Sequence, residues 1–298
     1  MRKKRIAHIG AGKIAHSLCS ALVNSGYDIS CIVSRKLNSA KHLAKKYSVP
    51  SFSTSLNKIP DEANVFFLTV PDGEIKKTAD NLSRLKKDFS DSICIHFSGV
   101  ENISSLISLQ NKGCSVGSLH IIRPFPSKEI VDIKNSPASI EAGDKRAKEF
   151  LIQLCKKLKL NPHTINSDEK IFHHLAAVHS SNFLVGNLFN AFSLITSKSN
   201  RPKDILLSTT QSALNNIFNS SPVQALSGPI DRGDIYTIKK HIEELDHKIK
   251  SSNDYRLRLL RKSYIIQSLL LLDVVKSKYG KLGQNQKEIK TFLQKLLP

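Results

Sequence analysis

The segment "RIAHIGAGKIAHSL", residues 5–18, decides the fold of this chain of 298 residues. A strand-like apolar run precedes Gly10 and Gly12, and a helical pattern with Ala15 follows them. Gly10 permits a tight turn, Gly12 lets the backbone approach a pyrophosphate, and Ala15 lets the helix pack closely on a sheet. The free N–H groups at the start of the helix attract an anion. The segment therefore predicts a strand–turn–helix unit that binds a dinucleotide. The expected cofactor contacts here are Gly10, Ala11, Gly12, Lys13 and Ile14.

Strand-like runs alternate with amphipathic helical patterns through the first half of the chain. Such alternation indicates βαβ units, a mostly parallel sheet and right-handed crossovers. After about residue 145 long helical patterns take over, apart from a possible short strand at "HTIN" (163–166). We predict an α/β fold, with a doubly wound Rossmann domain at residues 1–145 and an all-helical substrate and dimerisation domain at residues 146–298. The strand-like runs are residues 5–10, 29–34, 65–70, 92–98, 115–120 and 138–143.

Two helix starts stand out in the second half. Ser167, Asp168 and Glu169 form a plausible N-terminal cap for a helix that runs to about Ser197, and Pro202 begins another helix.

The end of the second strand indicates which dinucleotide is bound. It reads "CIVSRK" (31–36) and offers Ser34, Arg35 and Lys36 but no carboxylate. An NAD enzyme places Asp or Glu there for the ribose 2′-hydroxyl, whereas an arginine pairs with a 2′-phosphate. The sequence therefore favours NADP(H) as the cofactor.

Composition sets the class of partner. The formal net charge is +20, but the lysines are spread along the chain and Trp is absent. We expect no nucleic-acid partner and a positive field that attracts a small anionic substrate. The five cysteines show no paired spacing, which fits free thiols in a reducing cytoplasm. No segment is apolar enough to predict a membrane span.

Two more strand ends point to the same edge of the sheet. One carries Val70, Pro71 and Asp72, and the other carries Ser98 and Gly99. Ligands of open α/β sheets bind outside the carboxyl ends of the strands. We expect the first set to contact the cofactor and the second to contact the substrate.

The stretch "FHHLAAVHSSNFLVGN" (172–187) places three histidines in one helical pattern. His174 and His179 point about 140° apart on an α-helix, so they cannot chelate one ion, and we expect no metal site. His174 and Ser181 are seven residues apart and about 20° from each other, and Asn182 lies beside Ser181. This face predicts a proton donor, His174, with Ser181 and Asn182 as positioning groups; a capped or buried structural histidine is the alternative.

Three motifs together resemble a known family. They are "HFSGV" (96–100), "VGSLHIIRPF" (116–125), and "HHLAAVHSSNFL" (173–184) with "ALSGPIDRGDIYTIKKHIEEL" (225–245). The family is that of Rossmann-like NAD(P)-binding oxidoreductases with a C-terminal domain of unassigned function (DUF2520-like). It is related to ketopantoate reductases, β-hydroxyacid dehydrogenases and pyrroline-5-carboxylate reductases. The chain departs from the family pattern, which has Tyr-His at His173-His174 and His-Pro at His120-Ile121.

The resemblance to ketopantoate reductases implies roles for individual residues. His174 looks similar in position to their lysine proton donor, and Asn182 follows it by the same eight residues. Ser98-Gly99 resembles their substrate-contacting Asn-Gly. Arg232 and Asp234 resemble a later segment that grips the polar end of the substrate.

These observations predict an enzyme, an NADPH-dependent reductase of a small 2-oxo acid, with ketopantoate in pantothenate biosynthesis as the best single substrate. His174, or failing that His120, would donate the proton to the substrate oxygen. An imine reductase of the pyrroline-5-carboxylate type and a non-catalytic dinucleotide-binding protein remain as alternatives. The apolar run "YIIQSLLLLDVV" (264–275) is either core or the interface of an expected homodimer.

Overall fold

The computed structural model describes residues 4–195 and 201–297. The chain divides into two compact units, residues 1–184 and 185–298, and each unit is described by itself.

The first unit is built on one sheet, whose strand order is β3-β2-β1-β4-β5-β6-β7-β8. All pairs of neighbouring strands are parallel except β6 and β7, which are antiparallel. The order reverses at β1, which lies between β2 and β4, so a ligand crevice is expected at the carboxyl ends of β1 and β4. The strands are β1 Arg5–Ile9, β2 Asp28–Val33, β3 Ser51–Ser53, β4 Val65–Leu68, β5 Ile93–His96, β6 Ser115–Ile121, β7 Pro137–Ala142 and β8 Asn161–Thr164.

Helices cover both faces of this sheet. One buried apolar cluster joins the strands to α1, α2 and α5, and a second joins them to α3 and α4. The doubly wound α/β fold predicted from the alternating pattern is therefore confirmed. The helices of this unit are α1 Lys13–Asn24, α2 Leu37–Lys46, α3 Ile75–Ser83, α4 Ile107–Gln110, α5 Lys145–Leu158 and α6 Ser167–Ala177.

The first compact unit extends beyond residue 145, where the sequence placed the domain boundary. Helix α5 buries Phe150, Leu151 and Leu154 in the cluster on the sheet, and β8 pairs with β7. These elements complete the sheet and its cover, so the chain stays with the first unit through α6. The amphipathic pattern of α5 could not distinguish a helix on the sheet from the first helix of a separate domain.

The helix expected from Ser167 to about Ser197 consists of three parts. Its N-cap is Asn166 rather than Ser167, because the Asn166 side chain and Glu169 form a reciprocal capping box. Helix α6 then passes into a π-helical turn, Val178–Asn182, and into α7, Phe183–Leu194. The predicted end of the helix lies outside the described residues.

The second unit is helical. Pro202 begins α8, as predicted, and Asp234 caps α11 by accepting a hydrogen bond from the Thr237 backbone. Its core includes Ile242, Ile265 and Leu272. The run at 264–275 lies in α12 and is partly core, while Ile266 and Leu270 on the same helix are exposed. After α7, the helices are α8 Pro202–Asn219, α9 Pro222–Ala225, α10 Pro229–Arg232, α11 Ile235–Ser252, α12 Tyr255–Tyr279 and α13 Gln284–Lys295.

None of the helices in the described part of the chain combines the length and apolarity that crossing a bilayer requires. All five cysteines, which belong to that part, are buried free thiols.

Candidate active site

The turn after β1 has the geometry that a bound phosphate requires. Gly10 has a φ of 119°, and a Cβ placed on it would lie 2.4 Å from the Thr69 carbonyl oxygen. A side chain at this position is therefore excluded by both conformation and space. A Cβ on Gly12 would meet no atom closer than 3.9 Å, and Gly12 caps α1 without a side-chain hydrogen bond. The first N–H groups of α1 are thus available to an anion.

A buried chain of hydrogen bonds supports this turn from below. The Thr69 hydroxyl lies 3.3 Å from the Ile9 carbonyl oxygen, to which it donates, and 3.3 Å from His8 Nε2. His8 Nδ1 lies 3.6 Å from Cys19 Sγ. These contacts fit one tautomer, in which Nε2 carries the proton and Nδ1 accepts from the thiol. Burial lowers the pKa of His8 to about 4, which keeps this arrangement neutral.

A cleft of about 590 Å³ opens at the carboxyl ends of β1, β2 and β4. Seven of the predicted cofactor residues line it: Gly10, Ala11, Gly12, Ser34, Arg35, Val70 and Pro71. Lys13 and Asp72 are exposed and do not line the cleft, and Ile14 packs against the buried apolar cluster. The structure therefore brings together most, and not all, of the predicted set.

The cleft carries more positive charge than the second strand alone indicated. Lys77 and Lys128 line it together with Arg35 and Lys36, and Glu74 contributes a carboxylate. Lys77 and Lys128 come from segments about 40 and 90 residues beyond Arg35, so no local motif pointed to them. A cationic wall of this kind suits a ligand with several phosphates.

Two histidines meet beyond the end of β5. A Cβ on Gly99 would lie 2.6 Å from His174 Cδ2 and 2.8 Å from His120 Nε2. The ring centroids of His120 and His174 are 5.8 Å apart. Strand β6 supplies one ring and α6 the other, and the absence of a side chain at Gly99 lets both approach the strand end. The structure thus joins three of the residues that the sequence singled out.

Burial, then His174 and Lys170, lower the pKa of His120 to about 4. His120 is therefore neutral near pH 7, so it acts there as a hydrogen-bonding group. His174 is half-buried and sits next to it.

Ser98 has a structural role in the loop after β5. Its hydroxyl accepts hydrogen bonds from the backbone N–H groups of Val100 and Glu101 at 3.0 and 2.9 Å. Its own N–H donates to His96 Nδ1 at 3.3 Å. Ser98 is buried, and these hydrogen bonds fix the shape of the loop that carries Gly99.

The π-helical turn changes the relation of His174 to Ser181 and Asn182. The predicted common face assumed 100° per residue, but a π turn has a wider i→i+5 spacing. A shared face therefore does not follow from the sequence spacing. The Ser181 hydroxyl lies 2.7 Å from the Ala177 carbonyl oxygen, to which it can donate, and 3.0 Å from Asn182 Oδ1.

Arg232 and Asp234 belong to the second unit. Both carboxylate oxygens of Asp234 accept hydrogen bonds from Thr237, one from its backbone N–H and one from its hydroxyl. These bonds hold the pKa of Asp234 below its usual value. Arg232 is exposed at the end of α10. Asp231, next to it, forms an ion pair with Lys278 at 3.0 Å. Asp234 is therefore a helix cap.

Sequence reasoning missed a buried polar cluster under α6. The ammonium of Lys170, 1 % exposed, donates to the Ser118 hydroxyl at 2.6 Å and lies 3.4 Å from Glu141 Oε2. A lysine that follows Asp168 and Glu169 at the start of a helix has the pattern of a solvated charge, so no local signal in the sequence indicated its burial. Within residues 4–195 and 201–297, no three His, Cys, Asp or Glu side chains are grouped so as to hold a metal ion.

Two segments of the chain match known family models. Residues 5–98 match the model described as NADP oxidoreductase, coenzyme F420-dependent, and residues 136–258 match the domain of unknown function DUF2520. The two matches confirm the family that the sequence motifs resemble, and the first agrees with NADP(H) as the predicted cofactor. No curated protein is significantly similar to the chain.

Solved structures share the fold at low sequence identity. A protein from Bacteroides fragilis assigned as an NADP oxidoreductase is 24% identical, with a TM-score of 0.73 and coverage of 90% of this chain and 97% of that one. Protein TM1727 from Thermotoga maritima is 24% identical, with a TM-score of 0.65 over 92% and 99% of the two chains. A pyrroline-5-carboxylate reductase from Coxiella burnetii is 16% identical, with a TM-score of 0.53 over 89% and 97%.

The buried histidine under the turn predicts a loss of stability in acid. The folded-state pKa of His8 is about 4, below the 6.5 of the unfolded state, so the unfolded chain binds more protons between these values. The contribution of neutral His8 is present above pH 6.5 and is lost as the pH falls toward 4. Loss of this contribution lowers the free energy of unfolding by roughly 3 kcal/mol. Urea unfolding at pH 7, 5.5 and 4.5 measures the effect.

His8→Gln, whose amide can replace both hydrogen bonds, should reduce this pH dependence by the contribution of His8. His96 and His120, whose pKa values are also lowered by burial, retain their own contributions. The exposed His179→Gln is the matched control and should retain the wild-type slope. Equal slopes in all three proteins would contradict the prediction.

Proposed function

Because an NADP oxidoreductase segment is joined to a DUF2520 segment in this chain, we propose that the protein is an NADPH-dependent reductase of a small 2-oxo acid. The observation that carries the proposal is the position of two histidines at the carboxyl edge of the sheet that also bears the cationic cleft. The family match of residues 5–98 supports assignment of the chain to the NAD(P)-dependent oxidoreductases.

The residues of the cleft fit a dinucleotide. Gly12 leaves open space before the N-terminus of α1, where the pyrophosphate would bind. Arg35 and Lys36 would hold the 2′-phosphate, since Arg35 can form a bidentate pair. A bound reduced nicotinamide supplies the hydride that adds to the carbonyl carbon of the substrate.

His174 would donate the proton. As the carbon gains its hydrogen, the C=O π bond breaks and the oxygen takes the proton from the His174 imidazolium, which leaves a hydroxy acid and neutral imidazole. Neutral His120 would orient the carbonyl oxygen by a hydrogen bond. Because His174 is only half-buried, it can take up a new proton from solvent after each turnover.

The substrate we propose to test first is ketopantoate, which would place the enzyme in pantothenate biosynthesis. Support comes from the likeness of His174 and Asn182 to the lysine and asparagine spacing of ketopantoate reductases. Asn182 is exposed and Ser181 partly so, and both remain proposed substrate contacts. Arg232 remains a proposed contact for the carboxylate.

An imine reductase is the second candidate. The fold shared with the pyrroline-5-carboxylate reductase of Coxiella burnetii supports it. A protonated imine already carries a proton on its nitrogen, so its reduction by hydride does not need an acid such as His174. The pair of histidines at Gly99 therefore favours the carbonyl substrate.

Arg35→Ser should change which dinucleotide binds. The variant loses the bidentate partner of the 2′-phosphate, so we expect its dissociation constant for NADPH to rise about 10- to 100-fold. Its dissociation constant for NADH should stay within about twofold, because NADH carries no 2′-phosphate. Titration followed by nicotinamide fluorescence measures both values. Tighter binding of NADH than NADPH by the wild type would refute the cofactor assignment.

His174→Ala should abolish most turnover. Loss of a general acid lowers kcat by about 10²- to 10⁴-fold, with cofactor binding unchanged. His173→Ala, next to it in α6 and exposed, is the matched control and should retain activity. Oxidation of NADPH with ketopantoate, other 2-oxo acids and a cyclic imine provides the assay. If the wild type turns over none of them, the non-catalytic alternative replaces the reductase.

A homodimer is also proposed. Helix α7 has no buried residue although its sequence, FLVGNLFNAFSL, is mostly apolar, and Val185 and Phe189 are more than half exposed. A helix that is apolar on most sides is stable when it is covered. Light scattering should give the mass of two chains, and Phe189→Asp should give one. A wild-type mass of 33.2 kDa would contradict the dimer.

A further inference from the structure

Lys170 is a buried cation that the proposed mechanism does not use. Its ammonium donates to Ser118 on β6 and faces the Glu141 carboxylate on β7. Glu141 Oε1 accepts a further hydrogen bond from the Ser167 hydroxyl at 2.5 Å. One carboxylate therefore connects two residues of the first turn of α6 to the sheet.

The strand register arranges these groups in a row. Ser118 pairs with Glu141 on one side and with His96 on the other. His96 is buried, its Nε2 has no hydrogen-bond partner in the described structure, and burial followed by Lys170 lowers its pKa to about 3. Lys170 thus enters a row contributed by three neighbouring strands.

Two contacts between α6 and β6 repeat with matching spacing. Lys170 and His174 are four residues apart on α6, so they lie one turn apart on the same side. Ser118 and His120 are two residues apart on β6, so they lie on the same face. Four helical residues rise about 6 Å and two strand residues span about 6.6 Å. The Lys170–Ser118 hydrogen bond therefore fixes the position of α6 along β6, and with it the placement of His174 next to His120.

The charge of Lys170 also acts on the histidines. It is among the groups that lower the pKa of His120, after burial and His174. Burial lowers the pKa of Lys170 itself to about 8, against the opposite effect of Glu141. Asp72, after β4, and Glu101, after β5, also face Lys170 and stabilise its charge.

We propose that Lys170 is a positioning residue of the reductase: through its contacts with Ser118 and Glu141 it sets His174 against His120. Burial is the main reason that His120 is neutral, and the positive charge of Lys170 adds to that effect. This inference rests on the proposed function. A neutral His120 can donate a hydrogen bond to the substrate oxygen while His174 supplies the proton. The pairing with Glu141 and Ser118 makes the buried charge tolerable in the fold.

The test replaces the charge and keeps the shape. Lys170→Met has a similar apolar stem, and the double variant with Glu141→Gln avoids leaving an unpaired buried carboxylate if the single variant does not fold. NMR titration of the His120 imidazole should show its pKa rising by about half a pH unit or more, because a like charge has been removed. Lys170→Arg, which retains the charge, should leave the titration near that of the wild type.

Kinetics give the second measurement. In Lys170→Met, kcat should fall by about tenfold or more and the acid limb of the rate profile should move to higher pH, while the KM for NADPH stays within about twofold. Lys148→Met, an exposed lysine of α5, is the matched control and should change neither property. Loss of rate with no movement of the acid limb would overturn the electrostatic role.

The NMR readout does not depend on turnover. If the wild type reduced no substrate but the His120 titration moved as expected, the proposed function would fail and the coupling of Lys170 to His120 would stand. If His120 titrated identically in the wild type and a folded Lys170→Met or double variant, the inference on Lys170 would be overturned.

Discussion

The close approach of Gly10 to Thr69 is the contact on which the cleft depends. It lies where the strand order reverses, between the ends of β1 and β4, and leaves no room for a Cβ. The backbone N–H of Thr69 donates to the Ile9 carbonyl, and that of Gly10 donates to the Val33 carbonyl. The carboxyl ends of β1, β2 and β4 are thereby held next to one another, and the N-terminus of α1 faces the cleft beside them. Neutral His8 below the turn keeps the Thr69 hydroxyl in place.

A second constraint acts at the other end of the site. Helix α6 begins at a capping box and is anchored to the sheet by Lys170, and one turn later it carries His174 to Gly99 and His120. Gly99 contributes by having no side chain, as Gly10 does at the first site. At both sites a glycine leaves room for a ligand at the edge of the sheet, and a buried polar residue holds the neighbouring groups in place. These residues are His8 near Gly10 and Lys170 near Gly99.

Several parts of this arrangement could be predicted from the sequence. The strand–turn–helix unit around Gly10, the doubly wound sheet and the lack of a carboxylate after the second strand depend on local patterns. His174, His120 and Gly99 were each singled out, and the fold brings them together. The predicted face of His174 with Ser181 and Asn182 was less secure. A π turn lies between them, and nothing in the local pattern of residues 178–182 distinguishes it from an α-helix.

The sequence by itself determined the α/β fold and the type of phosphate-binding turn, because backbone conformation, periodicity and helix N-termini are local properties. The tertiary structure alone decided the rest. It joined α5 and β8 to the first unit, gathered Lys77 and Lys128 beside Arg35, and buried Lys170 against Glu141. These features depend on strand register and burial, which bring together residues distant in the chain, and the chemistry of a charged side chain changes when water is removed from around it.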